Sequence, residues 1–273
     1  MLLASTFLIR SVCAKPLSQS PLVASPFLDQ LQQAANSAGT DKVSTHQYDQ
    51  VYGRFLEPFQ KTEQFAMVEV GYGGGAGISL WTSVFPQTFL YCLDCDVVDQ
   101  WHDRTCLLKV DQASIEDLER AITAIRHPIS LIIDDGSHHP SHQLLSFSIF
   151  FEQLLCHGGI YIIEDIETSY WRRGSLYDNT YSHGLGDRRS AVEAFKLLAD
   201  FVNRRFLDPA DENFLAASLL DVGISLAAAS AVETVCFGRN AIVLTKRAQA
   251  GDEPPPKPYF HSWKTSRHDP RGS

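Results

Sequence analysis

A doubly wound α/β fold with a mostly parallel sheet is predicted by three observations. Strand-like and helical patterns alternate five times between residues 65 and 164. The strand runs are near-continuously apolar, as in residues 129–133 where Ser130 is the one polar member, which is the pattern of strands covered on both faces. Glycines or acids stand at the strand ends, and in such sheets the carboxyl ends of the strands border one ligand crevice.

The elements follow in order. Residues 44–60 read as an amphipathic helix, with Ser44 as N-cap and Tyr48, Val51, Tyr52, Phe55 and Leu56 at helical spacing before Pro58. Strand 65–70 runs into the loop Gly71-Tyr72-Gly73-Gly74-Gly75-Ala76-Gly77 and a helix through Leu80 and Trp81. Strand 89–93 ends at Asp94, and strand 106–110 ends at Asp111-Gln112. Ser114 caps a helix with Leu118, Ile122 and Ile125 on one face, Asp117 completing a variant capping box. Strand 129–133 runs into Asp134-Asp135-Gly136-Ser137-His138. The helix carrying Leu144, Phe147, Phe150, Phe151 and Leu154 is expected to stop at Gly158-Gly159, and strand 160–163 runs into Glu164-Asp165. A polar, aromatic and arginine-rich loop spans 171–189, and a helix spans 191–206. Strands 232–237 and 241–245, joined by Gly238-Arg239-Asn240, close the sheet as a hairpin with one antiparallel strand. The expectation is a Rossmann-like sheet of seven strands over residues 36–247. A leader at 1–35 precedes it, and a proline-containing tail at 248–273 follows.

At 273 residues and 44% hydrophobic, the chain can bury one substantial core or two small ones. Its net charge of -9 argues against a nucleic-acid surface, and no apolar run reaches the roughly 18 to 20 residues of a membrane span. Cys92 and Cys95 lie in one strand pattern and point to opposite faces, so they cannot share a metal. Buried free thiols suit a reducing compartment. The leader holds Arg10 and Lys15 and no acid before Asp29. It resembles a mitochondrial or plastid targeting peptide. A disordered extension on a cytoplasmic protein is the alternative.

The glycine loop sits between a strand and a helix, where backbone can approach a ligand closely. Gly71, Gly73 and Ala76 satisfy a dinucleotide spacing, with Asp94 placed to hold a ribose, so a nicotinamide-dependent oxidoreductase is one reading. Glu69 shifts the balance, because its carboxylate would repel a pyrophosphate but could hold a cationic methionine group. Glu69-x-Gly71-x-Gly73, then Asp94, then Asp111, resembles the class I S-adenosylmethionine (SAM)-dependent methyltransferases. That resemblance implies SAM bound by Glu69, Gly71, Gly73, Gly75, Asp94 and Asp111, with Asp134 assisting at the methionine end.

Three further motifs narrow the likeness. Gly39-Thr40-Asp41-Lys42 with His46 and Tyr48, then residues 134–138, then Glu164-Asp165-Ile166-Glu167-Thr168-Ser169-Tyr170-Trp171, resemble the metal-dependent sugar O-methyltransferases of the macrocin and mycinamicin group. The resemblance implies Mg²⁺ held by Asp135, Glu164 and Asp165, His138 as general base, and a sugar, glycoside or other hydroxylated small molecule as acceptor. The chemistry is consistent: magnesium takes oxygen ligands, a bound alcohol becomes more acidic, and an imidazole can remove its proton at neutral pH. Glu164 and Asp165 would diverge on a regular strand, so both are ligands only if the chain turns there. Asp134 and Asp135 could instead cap the following helix, and His139 and His142 read as solvated or supporting groups. Lys42, His46 and Tyr48 fit either a lid over the cofactor or helix capping. A homo-oligomer and a non-catalytic SAM-binding protein stay open.

Overall fold

The computed structural model describes residues 25–62 and 64–249. The expected targeting segment and most of the tail therefore lie outside the described residues. Helix α1 (Pro26–Ala38) starts with Pro26 in its first turn and ends at Gly39, whose φ of 70° closes it in the left-handed region. Phe27, Leu31 and Ala35 of this helix are fully buried. Residues 26–35 thus belong to the folded unit rather than to a leader, because one apolar stripe of the helix fills the core.

The helix expected from Ser44 starts five residues later, and a separate short helix precedes it across a break. Thr40, not Ser44, is the cap: its hydroxyl accepts from the Lys42 amide at 3.3 Å and starts α2 (Asp41–Ser44). Gln47 then takes a φ of 58°, and α3 (Asp49–Leu56) follows, with Pro58 in a 3-10 turn behind it. Tyr48, Tyr52 and Leu56 are buried, as their spacing predicts. The break lets Lys42, His46 and Tyr48 face the sheet together.

The sheet and its helices run β1 (Ala66–Val70), α4 (Ala76–Val84), β2 (Phe89–Asp94), β3 (Gln100–His102), β4 (Thr105–Lys109), α5 (Ile115–Ala124), β5 (Ile129–Asp134), α6 (Pro140–Gln153) and β6 (Leu155–Glu164). A small hairpin, β7 (Gly174–Leu176) and β8 (Asn179–Tyr181), interrupts the 171–189 loop. Helices α7 (Ala191–Val202), α8 (Pro209–Asp221) and α9 (Leu226–Ala231) lead to β9 (Val232–Phe237) and β10 (Ala241–Lys246). Strand order is β3-β4-β2-β1-β5-β6-β10-β9. β1, β2, β4, β5 and β6 are mutually parallel, while β10 runs antiparallel to β6 and β9.

The eighth strand, β3, pairs antiparallel with β4 at the edge. All three of its residues are exposed, so no burial pattern announced it in the sequence. The glycines Gly158-Gly159 do not stop α6; they lie inside β6, where the register against β5 shifts. The helix expected to reach residue 206 stops at Val202, with a 3-10 turn over Arg204–Phe206.

Each face of the sheet is covered. Phe147, Phe150, Phe151, Phe195 and Leu198 pack one side, and Phe27, Leu31, Tyr52, Leu80 and Trp81 pack the other. β1 lies between β2 and β5, so consecutive connections leave it in opposite directions. The crevice at this switch point lies beyond Val70 and Asp134. Among the described residues no helix is long and apolar enough to cross a membrane.

Leu31→Ala should cost ~2–5 kcal/mol of stability in urea denaturation, the range for a buried leucine. A change near zero would place α1 outside the cooperative fold.

Candidate functional site

The crevice is built first by glycine geometry. Gly71 has a φ of 100°, and a side chain there would strike the Asp135 carbonyl. Only glycine lets the loop after β1 abut the loop after β5, where the Asp135 amide donates to the Val70 carbonyl at 2.9 Å. Gly73 and Gly74 also hold positive φ, with open space where side chains would stand. Gly75 caps α4, and Gly77, in its first turn, leaves room for the Glu69 carboxylate. Asp94, at the tip of β2, pins the loop by accepting from the Tyr72 amide at 2.7 Å. Asp111 follows β4 and accepts from the Ala113 amide at 2.8 Å, its side exposed to solvent. The cofactor candidates Glu69, Gly71, Gly73, Gly75, Asp94 and Asp111 therefore lie along the carboxyl ends of three adjacent parallel strands.

Lys42 reaches into the next part of the crevice. Its buried ammonium lies 2.5 Å from Asp135 Oδ2, 2.6 Å from Glu164 Oε2 and 3.6 Å from Glu69 Oε1. Burial alone would lower its pKa, but the charges of Asp135, Glu164 and Glu69 outweigh that and hold it well above the ordinary range. Trp81 Nε1 donates to Glu69 at 2.9 Å, and the Tyr52 hydroxyl donates to Glu164 Oε1. Burial pushes the Glu69 carboxyl up to about 7 and the Glu164 carboxyl up to about 6, with Lys42 opposing both shifts.

Asp165 resolves the question of adjacent acids. β6 ends at Glu164, and Asp165 turns out of the strand with φ 50° and ψ 51°. Its Oδ1 accepts from the Tyr48 hydroxyl at 2.6 Å and Asn240 Nδ2 at 2.8 Å, and lies 3.0 Å from His46 Nδ1. Its Oδ2 lies 3.6 Å from His138 Nε2. Burial raises its pKa.

His138 is buried and held at φ 54°, with its carbonyl accepting from the Thr168 hydroxyl at 2.6 Å. Among the described residues its buried Nδ1 has no hydrogen-bond partner. Asp135, His138 and Asp165 each present one donor atom within 4.8 Å of the others. Glu164 stands beside them, but here its two oxygens are engaged by Lys42 and Tyr52. Three carboxylates (Glu69, Asp135 and Glu164) thus face one ammonium, with Asp165 beside Asp135 and His138, a donor set short of positive charge that fits a hard divalent cation.

Asp134 departs from the expected place at the methionine end. Its carboxylate is fully buried and accepts from Gln112 Nε2 at 2.8 and 2.9 Å, Ser146 Oγ at 2.7 Å and the Tyr161 hydroxyl at 3.1 Å. Strand alternation turns it away from the neighbouring Asp135. Gln112 was missed by sequence reasoning: it joins Asp134 to the loop after β5 by accepting from the Ser137 amide at 3.0 Å. Its one signal was its place next to Asp111. His139 and His142 stand apart from the carboxylates, His142 paired with the Ser137 hydroxyl at 2.8 Å. Burial lowers both, His139 to about 4. Cys92 is buried in β2, whereas Cys95 lies just past the end of that strand and is exposed, so the expectation of one shared strand and buried thiols fails for Cys95.

No protein-family model matches the chain. Over 173 residues it is 33% identical to an 8-demethyl-8-alpha-L-rhamnosyl tetracenomycin-C 2'-O-methyltransferase from Streptomyces olivaceus, covering 59% of this chain and 43% of that protein. Over 136 residues it is 34% identical to the mycinamicin VI 2''-O-methyltransferase of Micromonospora griseorubida, covering 46% and 33%. The chain spans less than half the length of these curated relatives. Among solved structures it is similar to the MycE methyltransferase from the mycinamycin biosynthetic pathway in complex with Mg and SAH, with TM-score 0.67 and 23% identity over 87% of this chain and 60% of that one.

Lys42→Ala should cost ~3–5 kcal/mol in chemical denaturation, because it strands buried carboxylates without their counter-charge. Glu69 holds its proton to higher pH folded than unfolded. Its contribution to stability is therefore fully present below the ordinary carboxylate range and is lost as pH rises through about 7. Melting curves should show Glu69→Gln gaining on the wild type as pH is raised across that interval. A constant difference would mean that Glu69 ionises as it does in the unfolded chain.

Proposed function

We propose that this chain, a class I methyltransferase by fold and kin in sequence to sugar O-methyltransferases, transfers the methyl group of SAM to a hydroxyl of a sugar, glycoside or other polyhydroxylated small molecule with the help of Mg²⁺. The observation that carries the proposal is the meeting of Asp135, His138 and Asp165 within 4.8 Å, beside the glycine loop of β1. The named relatives are O-methyltransferases of a rhamnosyl tetracenomycin-C and of mycinamicin VI, and the similar structure holds Mg and SAH, which supports the same pairing of ion and cofactor here.

The residues divide the work. Gly71, Gly73 and Gly75 would keep backbone close to the cofactor, Asp94 would accept from its ribose hydroxyls, Asp111 would serve the adenine, and Glu69 would supply negative charge at the methionine end. SAM, when bound, supplies a sulfonium-activated methyl group. A nicotinamide cofactor fits less well, because the Glu69 carboxylate lies under the first turn of α4, where a pyrophosphate would seek the helix N-terminus. Asp135 and Asp165 would hold the cation, with Glu164 as the third oxygen donor once it releases Lys42. Mg²⁺, when held there, supplies positive charge that lowers the pKa of a nearby hydroxyl. Magnesium prefers oxygen over imidazole, which leaves His138 to accept the acceptor's proton. The in-line geometry of methyl transfer then depends on how rigidly these strand tips hold the two reactants.

The test is tritiated-methyl transfer from SAM to methyl α-L-rhamnoside, other glycosides and diphenols, with Mg²⁺ or with chelator. Chelation should abolish transfer and added Mg²⁺ restore it. Asp135→Ala should lose about 100-fold or more, and His138→Ala about 10² to 10⁴-fold, with SAM affinity by calorimetry little changed. Methyl transfer that persists in Asp135→Ala without metal would overturn the metal chemistry.

A further inference from the structure

We infer that Tyr177, at the tip of the β7–β8 hairpin, is the acceptor platform of this site, its exposed ring taking the apolar face of a sugar whose hydroxyl meets His138. The inference rests on the reading above and adds the residue that selects a sugar ring.

The hairpin is anchored at its base and free at its tip. Tyr181 on β8 is buried, donates its hydroxyl to the Ser137 carbonyl at 3.1 Å, and packs its ring 5.3 Å from His139 and 5.4 Å from Trp171. The returning strand is thereby fixed to the loop that carries His138. The two-residue tip, Tyr177-Asp178, holds φ of 48° and 61°. Such turns favour asparagine and glycine, and a bulky residue in the left-handed region costs of order 1–3 kcal/mol. A tyrosine there is a poor choice for the turn and points to use of its side chain.

That side chain stays 67% exposed although it is large and aromatic. Its ring centroid lies 5.8 Å from that of His138, with the planes inclined by 45°. The largely exposed Tyr177 ring thus stands tilted against the buried His138 ring, where one edge of a ring-sized group would meet both. Burial and the nearby charges of Asp135, Asp165 and Asp41 raise the pKa of the Tyr177 hydroxyl, consistent with a hairpin tip near the carboxylates. An aromatic face beside clustered hydrogen-bond acceptors matches a pyranose, which has apolar C–H faces and a polar rim.

Methyl α-L-rhamnoside serves as probe, against wild type and Tyr177→Ala, Tyr177→Phe and Tyr177→Gly. Tyr177→Ala should raise the acceptor KM about tenfold or more, with kcat changed less and SAM affinity unchanged. Tyr177→Phe should stay near wild type, because it keeps the ring. Tyr177→Gly should match or exceed the wild-type melting temperature, since it relieves the positive φ, while losing the acceptor as alanine does. An unchanged KM in Tyr177→Ala, or equal loss in Tyr177→Phe, overturns the platform. Saturation-transfer NMR of the same glycoside separates the two readings. Binding that Tyr177→Ala abolishes supports the platform even where the wild type transfers no methyl group and the catalytic reading fails. Absence of binding to the wild type overturns it.

Discussion

The crevice depends on one buried ammonium. Lys42 comes from the segment before β1 and ends between the tips of β1, β5 and β6, touching Asp135 and Glu164 and facing Glu69. Without it, three carboxylates would share a desolvated space, and removal of one partner from a buried charge group is far costlier than the loss of a surface pair. With it, α2 is tied to three separate strands, and the sites expected for cofactor and metal share one electrostatic link. Two tyrosines of the adjoining turns complete the arrangement, Tyr52 on Glu164 and Tyr48 on Asp165.

The price of this arrangement is strain and unmatched charge. His138 and Asp165 both adopt left-handed backbone, which non-glycine residues avoid, and they stand on opposite sides of the same contact. Gly71 allows the approach that brings their loops together. Burial raises Glu69, Glu164 and Asp165 in the same region. Perturbed acids, strained turns and an unpartnered imidazole nitrogen within one crevice are features of a site organised for ligands rather than for stability.

Much of this was readable from local pattern. Continuous apolar strands announced a sheet covered on both faces, and the acids at 134–135 and 164–165 fell where those apolar runs stopped. The condition for Glu164 and Asp165 to converge, a turn out of the strand, is met by Asp165. Other features were not readable. β3 has no buried residue, α1 was hidden by its continuity with an acid-poor leader, and the Gly158-Gly159 pair suits a strand irregularity as well as a helix stop. Asp134 shows the limit most clearly: its type and position matched a ligand, but the choice of face belongs to its neighbours Gln112, Ser146 and Tyr161.

The sequence by itself determined the alternation of strand and helix, the glycine loop and the identity of the acids at the crevice, because each follows from spacing along a few residues. Only the tertiary structure decided which acid faces which partner. Lys42 is separated from Asp135 by 93 residues and from Glu164 by 122, and Tyr48 from Asp165 by 117. Charge pairing over such separations is settled by which strands lie side by side and how deeply each carboxylate is desolvated, and neither quantity exists until the sheet has closed.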